Sequence, residues 1–187
     1  MCNCQKVLFL LIALGSLVSC NEEEKVVFAN PTQIETYFPI SDFLAENIGK
    51  LTSAEVRKKI RFNDETESVN FVMDSLTWRQ EMDFFFQADI NKAALAASYE
   101  TEETTDLLIH QLKPGEKGDI KRIEVKKQSG KVVEIVILSI INNLFYKSTV
   151  EGKIIIEDEQ IDAYYLSGDQ KVWFLPGTKL QVEAEVI

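Results

Sequence analysis

Residues 120–186 read IKRIEVKKQSGKVVEIVILSIINNLFYKSTVEGKIIIEDEQIDAYYLSGDQKVWFLPGTKLQVEAEV. Runs of β-branched and aliphatic residues alternate here with short clusters of turn formers. The clusters are Gln128-Ser129-Gly130, Asn142-Asn143, Glu157-Asp158-Glu159, Ser167-Gly168-Asp169 and Pro176-Gly177. Strands punctuated every 8–12 residues or so predict an antiparallel meander. The expected strands are 120–127, 131–141, 144–156, 161–166 and 170–175, then a last one after Gly177. That last strand alternates most cleanly, with Leu180, Val182, Ala184 and Val186 on one face and Lys179, Gln181, Glu183 and Glu185 on the other. In 131–141, Val133, Ile135 and Ile137 share one face and Val136, Leu138 and Ile140 the other, which predicts partial cover on both. Gly152 falls inside a long strand, where a bulge would fit.

Upstream the period changes. Ile40, Phe43, Leu44, Ile48 and Leu51 recur at helical spacing and predict an amphipathic helix ending near Gly49-Lys50. Thr32-Gln33-Ile34-Glu35 fits a capping box before it, with Pro39 either kinking that helix or opening a fresh one. A second helix is expected from an Asp74 or Ser75 cap to about Ala88, carrying Trp78, Met82, Phe85 and Phe86 on one face, with Asn91 as a stop. Residues 54–63 and 67–73 flank Asn63-Asp64-Glu65 and read as a polar-faced hairpin. Ala93–Ala97 suits helix by composition, but the alternation of Leu95, Ala97, Tyr99 and Thr101 favours a strand. A loop is expected over Glu100, Glu102, Glu103 and Asp106, followed by a strand from Thr105 to Leu112.

Each element offers one good apolar face, and sheet against helix buries those faces. The expected fold is α+β: a curved antiparallel meander of about seven to nine strands packed on two amphipathic helices. A closed β-barrel is the alternative.

The chain carries few groups for chemistry. His110 is its single histidine, set in a strand on the side of Leu108 and Leu112. GxSxG, HExxH, Walker and GxGxxG patterns are absent from the sequence. Two acidic clusters, Glu100/Glu102/Glu103/Asp106 and Glu157/Asp158/Glu159/Asp162, are candidates for Ca²⁺, but neither has EF-hand spacing, and solvated turns are the simpler reading. Tyr164, Tyr165, Trp173 and Phe174 are a candidate stacking platform for a sugar or peptide. Adjacent residues of a strand point to opposite faces, so about half of the four should be core. No catalytic residue, metal site or cofactor is assigned. The formal net charge of −10 disfavours a nucleic-acid partner.

The N-terminus supplies an address. Lys6 precedes Val7–Leu14, an apolar run shorter than the ~20 residues a spanning helix needs and typical of a secretory signal. Leu17-Val18-Ser19-Cys20 resembles the lipobox of bacterial lipoproteins. The resemblance covers only the leader. It implies cleavage between Ser19 and Cys20, lipidation of Cys20 and attachment to a membrane through its acyl chains. The domains expected are a cleaved signal peptide over 1–19, an acidic flexible tether over 20–31 and a single α+β domain over 32–187. Cys2 and Cys4 leave with the leader and Cys20 is capped, so no disulfide and no Cys-ligated metal is expected. Glu22-Glu23-Glu24 resembles the acidic surface-export run of Bacteroidota lipoproteins, and the mature domain resembles small lipoproteins of that phylum. The resemblance implies an outer-membrane location in a Gram-negative bacterium, lipid-anchored and facing the cell surface.

Three functions follow as expectations. The first is a non-enzymatic binding or complex-support module with an envelope protein or glycan as partner. The second is an envelope carrier of an apolar ligand, by analogy of fold plan alone. The third is a carbohydrate-active hydrolase, which would need a carboxylate pair in a cleft or a His110–carboxylate contact.

Overall fold

A computed structural model of the chain describes residues 33–51 and 53–187. The expected leader 1–19 and the expected tether 20–31 lie outside these residues, and with them Ser19, Cys20, Glu22, Glu23 and Glu24. The described residues fall within one compact unit.

Helix α1 spans Ile40–Lys50, and a hairpin follows with β1 at Ala54–Phe62 and β2 at Glu65–Met73. Two short helices come next, α2 at Ser75–Glu81 and α3 at Asp83–Gln87, then a single 3₁₀ turn at Ala93–Leu95. The remainder is strand: β3 Tyr99–Glu103, β4 Leu107–Leu112, β5 Ile120–Gln128, β6 Lys131–Asn142, β7 Tyr146–Glu157, β8 Gln160–Val172 and β9 Thr178–Val186. All nine strands form one antiparallel sheet in the order β2-β1-β9-β8-β7-β6-β5-β4-β3. The α+β meander is therefore present. The barrel alternative is not, because β2 and β3 have no strand partner on their outer sides among the described residues.

The register explains the core. One row crosses the sheet through His110, Ile123, Ile137, Gly152, Leu166 and Val182. The next runs through Leu108, Val125, Ile135, Ile154, Tyr164 and Ala184. Ile40, Leu44 and Ile48 of α1, Trp78 of α2, Met82 at the α2–α3 junction and Phe85 of α3 are buried with these rows in one cluster. On β6, Ile135 and Ile137 are fully buried, whereas Val136, Leu138 and Ile140 are half-buried.

Several local expectations need correction. No helix forms over 33–35: Gln33 bridges to Lys92 and the Ile34 N–H donates to the Asn91 carbonyl, so this backbone is already committed. Helix α1 starts after Pro39, as a fresh helix. The second helix breaks at Met82, whose ψ of 7° interrupts the ladder between α2 and α3. Asp74 caps it, accepting from the Thr77 N–H at 2.8 Å, and this holds its carboxyl below the usual carboxylate range. Ala93–Ala97 is not strand. Alanine's local preference prevails, and the Tyr37 hydroxyl lies at 3.0 and 2.9 Å from the carbonyls of Leu95 and Ala96.

Ser167-Gly168-Asp169 is not a turn. Gly168 lies between Val150 on β7 and Leu180 on β9, so turning there would break ladders on both sides. The chain instead continues to Val172 and turns over Trp173–Gly177. The β7–β8 irregularity sits between Ile155 and Ile156, not at Gly152. Gly152 has another cause. A Cβ there would lie 2.5 Å from Phe84 Cε1 and 2.7 Å from Phe85 Cε1, so the missing side chain is what lets α3 rest on the sheet. At the β5–β6 hairpin, Ser129 (φ 53°) and Gly130 (φ 80°) take the left-handed pair that a tight two-residue turn requires.

Candidate functional site

Two features stand out as more than packing: a polar clamp around the entering chain and an apolar end on the sheet. The clamp centres on Asn91, buried at the exit of α3. Its Oδ1 accepts from the N–H groups of Thr36 (3.2 Å) and Tyr37 (2.9 Å), and its Nδ2 donates to the carbonyls of Tyr37 (3.2 Å) and Phe38 (3.3 Å). Asp89 holds Asn91 in turn, accepting from its N–H at 2.8 Å, and its other oxygen accepts from the Ser41 N–H. The sequence offers Asn91 only as a helix stop, since its long-range partners are some 54 residues away in the chain.

His110 belongs to the same clamp. It is 2% exposed. Its Nε2 accepts from the Phe38 N–H at 3.0 Å, which assigns the proton to Nδ1, facing Thr101 Oγ1 at 2.9 Å. Both ring nitrogens are thus occupied by structural partners, and neither contacts a carboxylate. Tyr37 packs edge-on against the ring.

Burial lowers the His110 pKa, with Glu103 opposing more weakly. The unfolded chain protonates near pH 6.5, the native state only below that. Between the two values the unfolded state binds more protons, so stability falls as the pH drops through that window. Thermal melts from about pH 7.5 to 5 should show a steeper loss for wild type than for His110→Gln. Parallel losses would remove His110 as the cause.

A second, half-buried polar tie joins β1, α2 and β8. Lys58 occupies the inward row next to Ala184, and its Nζ donates to Glu81 Oε2 at 2.5 Å. The Tyr164 hydroxyl donates to the same oxygen at 2.5 Å. Burial first, and Glu81 second, push the Tyr164 phenol far up, so it stays protonated as a donor. The signal in the sequence is the period of two, which places Lys58 on the face of Val56 and Ile60.

The acidic clusters are strand edge and turn. Glu100, Glu102 and Glu103 lie on β3, not in a loop, and form a charged edge that repels pairing with another sheet. Glu103 pairs with Lys127 at 3.0 Å, and Glu159 with Lys131 at 2.7 Å. Among the described residues no group of three His, Cys, Asp or Glu side chains is arranged to hold a metal ion.

The four aromatics separate. Tyr164 is core and Tyr165 half-buried under Lys153. Trp173 and Phe174 sit on the β8–β9 turn with their rings at 80°, edge to face, so they present no common plane for stacking. They have other company. The β6–β7 turn brings Leu144 and Phe145 alongside, because Tyr146 pairs with Val172 and the Trp173 N–H donates to the Phe145 carbonyl at 3.0 Å. Asn143 Oδ1 fixes that turn by accepting from the N–H groups of Phe145 and Tyr146. Leu144 is 83% exposed and Trp173 67%, and Phe145, Phe174 and Leu175 are also exposed. Phe62 and Leu180, paired with each other and likewise exposed, lie at the same end.

On the outer face behind these turns is a shallow depression of about 300 Å³, with Lys147, Lys171 and Lys179 in its lining. Lys147 and Lys171 are direct cross-strand neighbours, a like-charge pairing that is unfavourable in itself. Lys179 lies 3.9 Å from Asp169.

These features define a class by fold only: an α+β domain on an open nine-stranded antiparallel sheet. No protein-family model matches the chain, and no curated protein or solved structure matches it. No described helix is long and apolar enough to cross a membrane.

Proposed function

We propose that this chain is a bacterial lipoprotein, anchored through acyl chains on Cys20 in the outer membrane of a Gram-negative cell, with its domain serving as a non-enzymatic binding or complex-support module. The observation that carries the reading is Leu17-Val18-Ser19-Cys20 after the apolar run Val7–Leu14, with Glu22-Glu23-Glu24 behind it. The geometry supports it at the point where a tether would join. Residues 34–38 are fastened to the domain by Asn91 and His110, so a pull on the preceding chain would be passed to the sheet. The packing of Phe84 and Phe85 onto Gly152 fills the middle of the sheet face, which gives the apolar-carrier reading little room. The partner in this reading is the membrane together with an envelope protein or glycan at the cell surface.

Metabolic labelling with an alkynyl fatty acid tests the anchor. Wild type should take up the label and fractionate with the outer membrane; Cys20→Ala should do neither. Absence of label on the wild type would overturn the reading. Protease shaving of intact cells should cleave the wild type if the acidic triplet directs export, and replacing Glu22–Glu24 with alanines should protect it.

A further inference from the structure

Exposed apolar side chains of the described domain are concentrated at one end of the sheet, on two turns that share a backbone hydrogen bond. Contiguous exposed apolar surface on rigid turns marks an interaction site. The types present are those of a bilayer interface: an indole and phenyl rings at the tips, with lysines set back behind them. Lys147, Lys171 and Lys179 stand out against the chain's net charge of −10. An anionic surface also resolves the cost of placing Lys147 opposite Lys171, since headgroup phosphates would neutralise both.

The chain enters the domain near this end. Gln33 bridges to Lys92, and Lys92 lines a depression together with Ile120 and Ser139. Ser139 precedes Leu144 by five residues, on the order of 17 Å of strand. From Cys20 to Gln33 even a fully extended chain spans at most roughly 45 Å.

We infer that the β6–β7 and β8–β9 turns dip into an anionic lipid surface, with Leu144, Phe145, Trp173 and Phe174 below the headgroups and Lys147, Lys171 and Lys179 at their level. The inference rests on the proposed anchoring, which would hold this end of the domain toward a bilayer. It also has a contact chemistry of its own that can be read separately. A lone sugar platform fits less well, given the 80° between Trp173 and Phe174.

Trp173 is a built-in probe, because the other tryptophan, Trp78, is 1% exposed and reports only the core. Full-length protein, wild type and Cys20→Ala, is mixed with vesicles of phosphatidylglycerol and phosphatidylcholine brominated in the acyl chains. The expected result for both forms is a blue shift and loss of the Trp173 emission, while Trp173→Phe shows neither. Phe145→Ser with Phe174→Ser should abolish the quenching with unchanged circular dichroism. Lys147→Glu with Lys171→Glu should reduce it and remove its salt dependence.

Wild type that carries the acyl label and floats with vesicles, yet keeps its Trp173 emission, would overturn the contact and leave the anchor standing. Quenching in a wild type that takes up no acyl label would uphold the contact and overturn the anchor. A concentration-dependent blue shift without vesicles, with a dimer mass in sedimentation, would assign the end to a second copy. A shift only with added glycan would assign it to a sugar. Either result would overturn the lipid contact.

Discussion

Asn91→Ala is expected to lower domain stability by about 2–4 kcal/mol, because it strands several buried backbone groups at once. The methyl group cannot accept from the N–H groups of Thr36 and Tyr37, nor donate to the carbonyls of Tyr37 and Phe38. The Tyr37 N–H suffers most, since its bond is both buried and the shortest of the four. Asn91→Asp keeps the acceptor and loses the two donors, so it should fall between alanine and wild type near neutral pH. A domain of this size shifts its melting temperature by roughly 2–4 °C per kcal/mol, which places the alanine variant about 4–16 °C below wild type. Limited proteolysis should find the first new cut within residues 33–39. A melting temperature within 2 °C or so of wild type would show the clamp to be dispensable.

The second large effect is expected at Gly152. Valine there must displace Phe84 and Phe85, whose ring carbons already occupy the place of its Cβ. Phe84 is only half-buried and can swing outward, whereas Phe85 is fully buried and cannot. Overpacking of this kind costs about 1–3 kcal/mol, and valine should lie at the upper end with alanine lower. Phe84→Ala should partly rescue Gly152→Ala, because one of the two obstructing rings is then gone. The coupling is read from denaturant unfolding of the two single variants and the double variant. Strict additivity would show that Phe84 has no part in the obstruction.

The legible parts of the fold were those set by local chemistry. The period of two across 120–186 gives the strands, and Ser129-Gly130 gives a hairpin because only two residues are needed to turn. Asp74 caps α2 through contacts within one helical turn. The errors share a different cause. Ser167-Gly168-Asp169 has the composition of a turn, but ladders on β7 and β9 hold it straight, and those partners are distant in sequence. Gly152 suggests a bulge until Phe84 and Phe85 are known to lie above it. Glu100–Glu103 has the charge of a loop, yet an edge strand tolerates and uses that charge. The apolar end was visible only in part. Trp173 and Phe174 could be named from the sequence, but their union with Leu144 and Phe145 depends on the β7–β8 register. Asn91 and His110 gave no local sign of their partners, since a clamp joins residues that the chain keeps far apart.

The placement of β9 between β8 and β1 has a kinetic consequence. The β1–β2 hairpin can form alone soon after its residues emerge, but its seat in the sheet is the final strand: Val56 pairs with Val186 and Phe62 with Leu180. Nearly the whole domain must therefore be synthesised before its first hairpin can dock. Loops of that length make closure slow. Until then β1 and β8 present bare edges, one of them apolar on the side of Val56 and Ile60. A chain delivered across a membrane as an extended thread would pass through this stage in the envelope, where a holdase that covers strand edges would govern its yield.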